Sequence, residues 1–232
     1  MKKNKMMRVA SVLLVAVLLS TCAISGTFAK YVATGSGSDS ARVAKWGVAI
    51  DTENFGMFTK EYKTDDTTAT FEGEYSVQSS NEDNVLAPGT KGEFANIAIT
   101  GTPEVAVEVA VTPTVTLSDN WTVDGEFYCP VTITVGETSI SGLDYTSATA
   151  FTDAIKTAIK GKSAQYAPNT DLSTKGADTD LGLAWSWAFE GEEGGKQTDV
   201  KDTALGDAAA AATEGNELKI EIGVEISVTQ ID

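Results

Sequence analysis

The chain has 232 residues, with 33 acidic side chains against 17 basic ones, no histidine and two cysteines. So acidic a surface repels nucleic acid and anionic lipid. The lack of histidine excludes Ser-His-Asp and Cys-His nucleophilic sites, zinc proteases of the His-Glu-x-x-His type and any His-ligated metal.

Lys2, Lys3, Lys5 and Arg8 open the chain, and no acid appears before Asp39. The apolar run Val9 to Ile24 is shorter than the ~20 residues a membrane-spanning helix needs, and it predicts a secretory signal. Thr27-Phe28-Ala29 puts small residues at the two positions that signal peptidases read. Cleavage is therefore expected after Ala29, leaving Lys30 as the new N-terminus; an uncleaved anchor is the alternative. Leu19-Ser20-Thr21-Cys22 hints at lipidation, but Thr21 is large for the position before the cysteine. With Cys22 inside the signal, Cys129 has no partner for an intrachain disulfide. It precedes Pro130 beside strand-like residues and reads as a buried structural thiol.

After the signal, Lys30-Tyr31-Val32-Ala33 leads into a small-residue spacer, Thr34 to Ser40, and then into an alternating segment, Ala41 to Asp51. Further strands are predicted over Thr70 to Val77, Phe94 to Thr100, Pro130 to Val135 and Leu183 to Phe189. The clearest alternation is Val105, Val107, Val109 and Val111 between Glu104, Ala106, Glu108 and Ala110. Near the end, Leu218, Ile220, Ile222, Val224, Ile226 and Val228 alternate with Lys219, Glu221, Gly223, Glu225, Ser227 and Thr229. Successive strand side chains point to opposite faces, so each segment has one buried and one wet face. That is the mark of antiparallel sheets covered on one side. Turn signals separate the runs at Ala87-Pro88-Gly89, Gly101-Thr102-Pro103, Asp124-Gly125 and Gly194-Gly195, which argues for a β-sandwich or barrel. Trp185, Trp187 and Phe189 share one face and are expected in the core.

Two stretches carry helical spacing instead. Ser147 to Lys160 sets Phe151, Ala154, Ile155, Ala158 and Ile159 on one side, with Ser147 as cap and Gly161 ending the helix in a left-handed turn. Asp202 to Thr213 reads as a second helix, capped by Asp202 and ended by Gly215. Residues 136–180 read as a helix-containing insertion on the sandwich.

Acidic clusters at Asp65-Asp66 and at Asp178 with Asp180 offer oxygen ligands, but neither completes a calcium-loop pattern. No cofactor is expected; calcium is the alternative that these acidic clusters leave open. Glu190, Glu192 and Glu193 beside glycines read as a charged hairpin turn rather than a carboxylate pair for glycoside hydrolysis. Trp121 with Trp185 and Trp187 forms either a sugar platform or core packing, the latter being the stronger reading.

Gly26-Thr27-Phe28-Ala29-Lys30-Tyr31-Val32, the polar spacer and Ala41-Arg42-Val43-Ala44-Lys45-Trp46-Gly47-Val48 together resemble the N-terminal region of proteins processed by the SipW-type signal peptidase. That group contains the TasA and camelysin proteins of Gram-positive biofilm matrices. Leu86-Ala87-Pro88-Gly89-Thr90-Lys91 looks like the family's L-x-P-G segment, and Leu218 to Gln230 lies where the family has its last strand. The resemblance implies a jelly-roll β-sandwich, and assembly by strand donation in which the processed N-terminus of one subunit completes the sheet of the next. Some relatives carry a metallopeptidase label; the lack of histidine gives that activity no physical support here.

The expected organisation is a signal peptide over residues 1–29, a donor strand and linker over 30–40, and one all-β, jelly-roll-like antiparallel sandwich over 41–232. Lys30, Tyr31, Val32 and Ala33 are the expected donor residues, with Ala29 and Lys30 flanking the cut. The expected protein is secreted, structural and non-enzymatic, a component of the extracellular matrix or cell surface. Its partners would be further copies of itself and a SipW-type peptidase, with no nucleic acid and no membrane after cleavage. The alternative is a cell-surface adhesin or carbohydrate-binding module.

Overall fold

A computed structural model describes residues 10–16, 42–51, 56–63, 73–93, 98–175, 182–190, 192–193 and 196–232. The chain divides into two units, Met1–Val43 and Ala44–Asp232. In the first, residues 10–16 are helical and apolar apart from Ser11, with Val12, Leu13 and Leu14 exposed. Among the described residues, no helix is long and apolar enough to cross a membrane.

The second unit is mostly β-structure in antiparallel sheets, with few helices. In chain order its first strands are β1 (Ala49–Asp51), β2 (Glu61–Lys63), β3 (Tyr75–Gln78), β4 (Lys91–Glu93) and β5 (Ala98–Thr100). The long β6 (Val107–Leu117) follows, then β7 (Thr122–Val123), β8 (Glu126–Phe127), β9 (Val131–Val135) and β10 (Thr138–Ser141). Helix α1 (Ala148–Lys160) precedes β11 (Ala164–Tyr166), β12 (Leu183–Trp187), β13 (Glu192–Glu193) and β14 (Lys196–Gln197). Helix α2 (Asp199–Ala211) and β15 (Ile220–Gln230) close the chain. The larger sheets run in the orders β10-β9-β12-β4 and β11-β6-β15.

Alternation explains the strands. In β6, Val107, Val109, Val111 and Val115 are buried, while Glu108, Ala110, Thr112 and Thr116 are not. In β9, Val131, Ile133 and Val135 are buried between half-buried threonines. Asp124 and Gly125 both have positive φ, 55° and 82°. That is the backbone a two-residue hairpin loop requires, and the Asp-Gly pair supplies it between β7 and β8. Gly89, at φ 79°, follows Pro88 in the turn before β4, where the Thr90 hydroxyl donates to the Ala87 carbonyl at 2.6 Å.

The main core joins Val111 and Val115 of β6 to Val131, Ile133 and Val135 of β9, to Leu183, Trp185 and Trp187 of β12, and to Phe151, Ile155 and Ile159 of α1. A second cluster contains Ile99, Val105, Val107, Val109, Tyr166 and Leu172. Both clusters lie within Ala44–Asp232, which therefore contains the cores that hold it together. Helix α1 packs chiefly on β6 and also meets β9 and β10. The segment 136–180 thus begins inside the β9–β10 hairpin, supplies a helix to the main core and adds β11 to the edge of β6.

Several local expectations are corrected. Residues 42–48 are irregular and only Ala49–Asp51 is strand. Gly47 takes φ 57°, and Lys45 exchanges backbone contacts with Glu104, whose carboxylate accepts the Lys45 N–H at 2.9 Å. Ser147 does cap α1, accepting the Ala150 N–H at 3.2 Å. Gly161, however, ends that helix at φ −62°, right-handed rather than left-handed. Helix α2 begins at Asp199, after Thr198, so Asp202 lies inside it and is buried. It ends at Ala211, with Ala212 extended, before Gly215 is reached. Phe189 is 73% exposed: the chain has left β12 at Trp187, and its ring lies against the backbone of Gly89 rather than in the core.

Candidate assembly edge

Strand β15 pairs with β6 along its whole length, from Ile220 opposite Leu117 to Gln230 opposite Val107, with no shift of register. Its start is clamped by the loop before β7. The Lys219 carbonyl accepts the Ser118 N–H at 3.0 Å and the Trp121 indole N–H at 3.2 Å. The Ser118 hydroxyl accepts the Lys219 N–H at 2.9 Å, and the Asn120 amide donates to the Asn216 carbonyl at 2.9 Å. Its far end is fixed by Ile231, whose N–H donates to the Ala106 carbonyl at 2.9 Å.

Those end bonds set the phase of the ladder. Residues of an antiparallel pair alternate between exchanging both backbone bonds with the partner and turning both away. Lys219 and Ile231 bond toward β6, so the odd-numbered residues between them do so too. Ile220, Ile222, Val224, Ile226, Val228 and Gln230 therefore turn their N–H and C=O groups to the opposite edge. Among the described residues, no strand pairs with that edge.

The side chains tell the same story. The four valines in the apolar row of β6 are buried, Val107 and Val109 at 0% exposure, while Pro113 and Leu117 of the same row are half-buried. The matching row of β15, Ile222, Val224, Ile226 and Val228, is only half-buried although it packs on the cores. A row of branched apolar side chains thus borders a row of open backbone groups, with no proline and no bulge to spoil it. Such an edge is a template for a further strand.

The other edge of the same sheet is handled differently. β11 pairs with β6 over Val107–Val109, and the Ser163 hydroxyl accepts the Val111 N–H at 2.9 Å. The next residue facing that way is Pro113, which has no N–H to offer. One edge is closed by a short strand, a serine and a proline; the other has no partner strand among the described residues.

The expected donor residues Lys30, Tyr31, Val32 and Ala33, and the cut after Ala29, lie outside the described residues. So do Asp65, Asp66, Asp178 and Asp180 of the acidic clusters. Among the described residues no group of three or more acidic or cysteine side chains is placed to hold a metal ion. Trp121 is buried, its ring centroid 6.4 Å from that of Trp187, and Trp185 is enclosed by Phe58 and Tyr62. The three tryptophans are core, and no sugar platform is built from them. Cys129 is buried and free, and burial pushes its thiol up to about 12. A thiol held neutral at every physiological pH is no nucleophile.

Comparison with protein-family models, with curated proteins and with solved structures finds no match.

The final strand was legible in the sequence as a two-faced strand, but its place at the edge was not. Alternation reports faces, and says nothing of how many neighbours a strand has.

Proposed function

We propose that this chain is a secreted structural protein of the extracellular or biofilm matrix that assembles into fibres by strand donation. In this reading the larger sheets are halves of a jelly-roll sandwich whose sheet is completed from outside. After a SipW-type peptidase cuts behind Ala29, the segment Lys30–Ala33 of one subunit adds to the β15 edge of the next, and Thr34–Ser40 is the link between subunits. The function is architectural, without catalysis and without a required cofactor.

The observation that supports it is the β15 edge, whose outward backbone groups run beside the half-buried row Ile222, Val224, Ile226 and Val228. An added strand gains main-chain hydrogen bonds from the first and apolar contact from the second. A head-to-tail contact between an N-terminal segment and an edge elsewhere on the molecule makes a filament when its rotation does not close into a ring. The resemblance of residues 26–48 to SipW-processed matrix proteins points the same way.

Electron microscopy of the chain beginning at Lys30 tests the proposal. Fibres are expected, and they disappear when residues 30–40 are removed. Monomers at high concentration under all conditions overturn it.

A further inference from the structure

The outer face of the β11-β6-β15 sheet carries Glu108 on β6 and Glu221 and Glu225 on β15. Among the described residues, these are its only charged side chains between the ends of the strands. Glu221 and Glu225 are exposed, and the Glu221 carboxylate accepts the Thr116 hydroxyl at 3.1 Å. Glu108 lies opposite Thr229 and beside Gln165 of β11. Lys219, just before β15, is paired with Glu217 at 3.3 Å. The face next to the open edge is therefore acidic, with no cation along the strand itself.

That pattern bears on the most dangerous partner for an open edge, which is the same edge of a second copy. Two β15 strands laid antiparallel in full overlap put Ile220 opposite Gln230. The outward-facing even residues then supply the hydrogen bonds, and Glu225 falls opposite Glu225 of the second copy. That is a non-hydrogen-bonded position, where the strands approach most closely. Slipping by four residues so that the overlap centres on Gly223 sets each Glu221 opposite the Glu225 of the other copy; the opposite slip sets Glu225 opposite Thr229. Slipping by two leaves the Glu225 side chains as diagonal neighbours. Like charges directly opposite one another oppose pairing, and charged residues on edge strands discourage edge-to-edge association. The segment Lys30-Tyr31-Val32-Ala33 carries a cation and no acid, and the first acid of the whole chain is Asp39.

We propose that Glu221 and Glu225 are specificity determinants of the β15 edge: they turn away a second β15 and leave the edge to a strand bringing no acid onto that face, such as Lys30–Ala33. This rests on the reading of β15 as an acceptor edge. It adds that the edge is selective, and that the selection is made by two side chains which contribute nothing to the core.

The test uses the chain beginning at Ala41, which retains both cores and lacks the donor. In sedimentation velocity at low salt the parent stays monomeric, and Glu221→Gln with Glu225→Gln raises self-association by on the order of tenfold. Adding salt promotes association of the parent by screening, but not that of the double variant. Val224→Pro, which removes an outward N–H, returns the double variant to monomer. A double variant no more associated than its parent overturns the proposal, and so does a dimer that survives Val224→Pro. The outcome is independent of whether the chain from Lys30 forms fibres, so failure of strand donation and failure of edge selection are read separately.

Discussion

The indole N–H of Trp185 donates to the backbone carbonyl of Met57 at 2.7 Å, tying the middle of β12 to the segment ahead of β2. The bond passes over Gly92 of β4, where a Cβ would collide with both the Met57 oxygen and the indole nitrogen. The rings of Phe58 and Tyr62 then close around Trp185 at 5.5 and 5.7 Å. Gly92→Ala forces these groups apart. It is expected to cost about 2–4 kcal/mol, from overpacking together with a weakened buried hydrogen bond, as read by urea unfolding. Near-parent stability in that variant would mean that the approach is not tight.

Helix α2 is anchored by Leu205 in the main core and by a buried acid. Asp202 accepts the Tyr128 hydroxyl at 2.7 Å and the Thr198 hydroxyl at 3.2 Å. The Lys201 ammonium lies 4.9 Å from the centre of the Tyr128 ring. Asp202→Ala leaves two buried hydroxyls without their acceptor and should cost about 2–3 kcal/mol. In a double-mutant cycle with Tyr128→Phe, the second change should cost far less once the first is made. Simple additivity would deny the coupling.

Cys129 makes stability depend on pH at the alkaline end. Its native thiol titrates at about 12 against an ordinary value of 9.0, because burial disfavours the thiolate. The unfolded chain therefore loses this proton first. The contribution is complete below pH 9 and falls as pH rises through the interval up to about 12, by roughly 4 kcal/mol at most. Comparing alkaline unfolding of the parent with that of Cys129→Ala isolates the effect: the variant's stability should fall less steeply above pH 9. A thiol-specific reagent should label Cys129 only as fast as the chain opens.

Proline separates the two sides of β15. Val224→Pro removes an N–H that faces the open edge, so the fold should persist while fibre formation from the chain beginning at Lys30 is lost. Glu225→Pro removes an N–H that bonds to β6, and should cost about 3 kcal/mol or more of stability. Far-ultraviolet circular dichroism with electron microscopy distinguishes them. Fibres from a folded Val224→Pro chain would place the donor elsewhere.

Much of the fold follows from local chemistry. Period-two alternation in Val107–Val111, Val131–Val135 and Ile220–Val228 specifies strands with one buried face. Helical spacing of Phe151, Ile155 and Ile159 with Ser147 ahead of them specifies α1. Asp124-Gly125 and Pro88-Gly89 specify their turns. These features depend on neighbours a few residues away, and the sequence displays them directly.

The rest needed contacts between distant parts of the chain. Phe189 continues the pattern of Trp185 and Trp187, yet lies outside because β12 ends before it. Asp202 has the composition of a cap, yet is drawn into the core because Tyr128, 74 residues earlier, reaches its carboxylate. Residues 136–180 break the strand pattern, yet their helix packs on β6 and gives Phe151, Ile155 and Ile159 to the main core. Above all, Leu218–Thr229 spells out a strand but not its neighbours. Only the tertiary arrangement leaves β6 between two partners and β15 with one among the described residues, because hydrogen bonds between strands run sideways, to residues about which alternation carries no information. The sequence thus determined which face of β15 is apolar and which is acidic. The fold decided that both faces border an open edge.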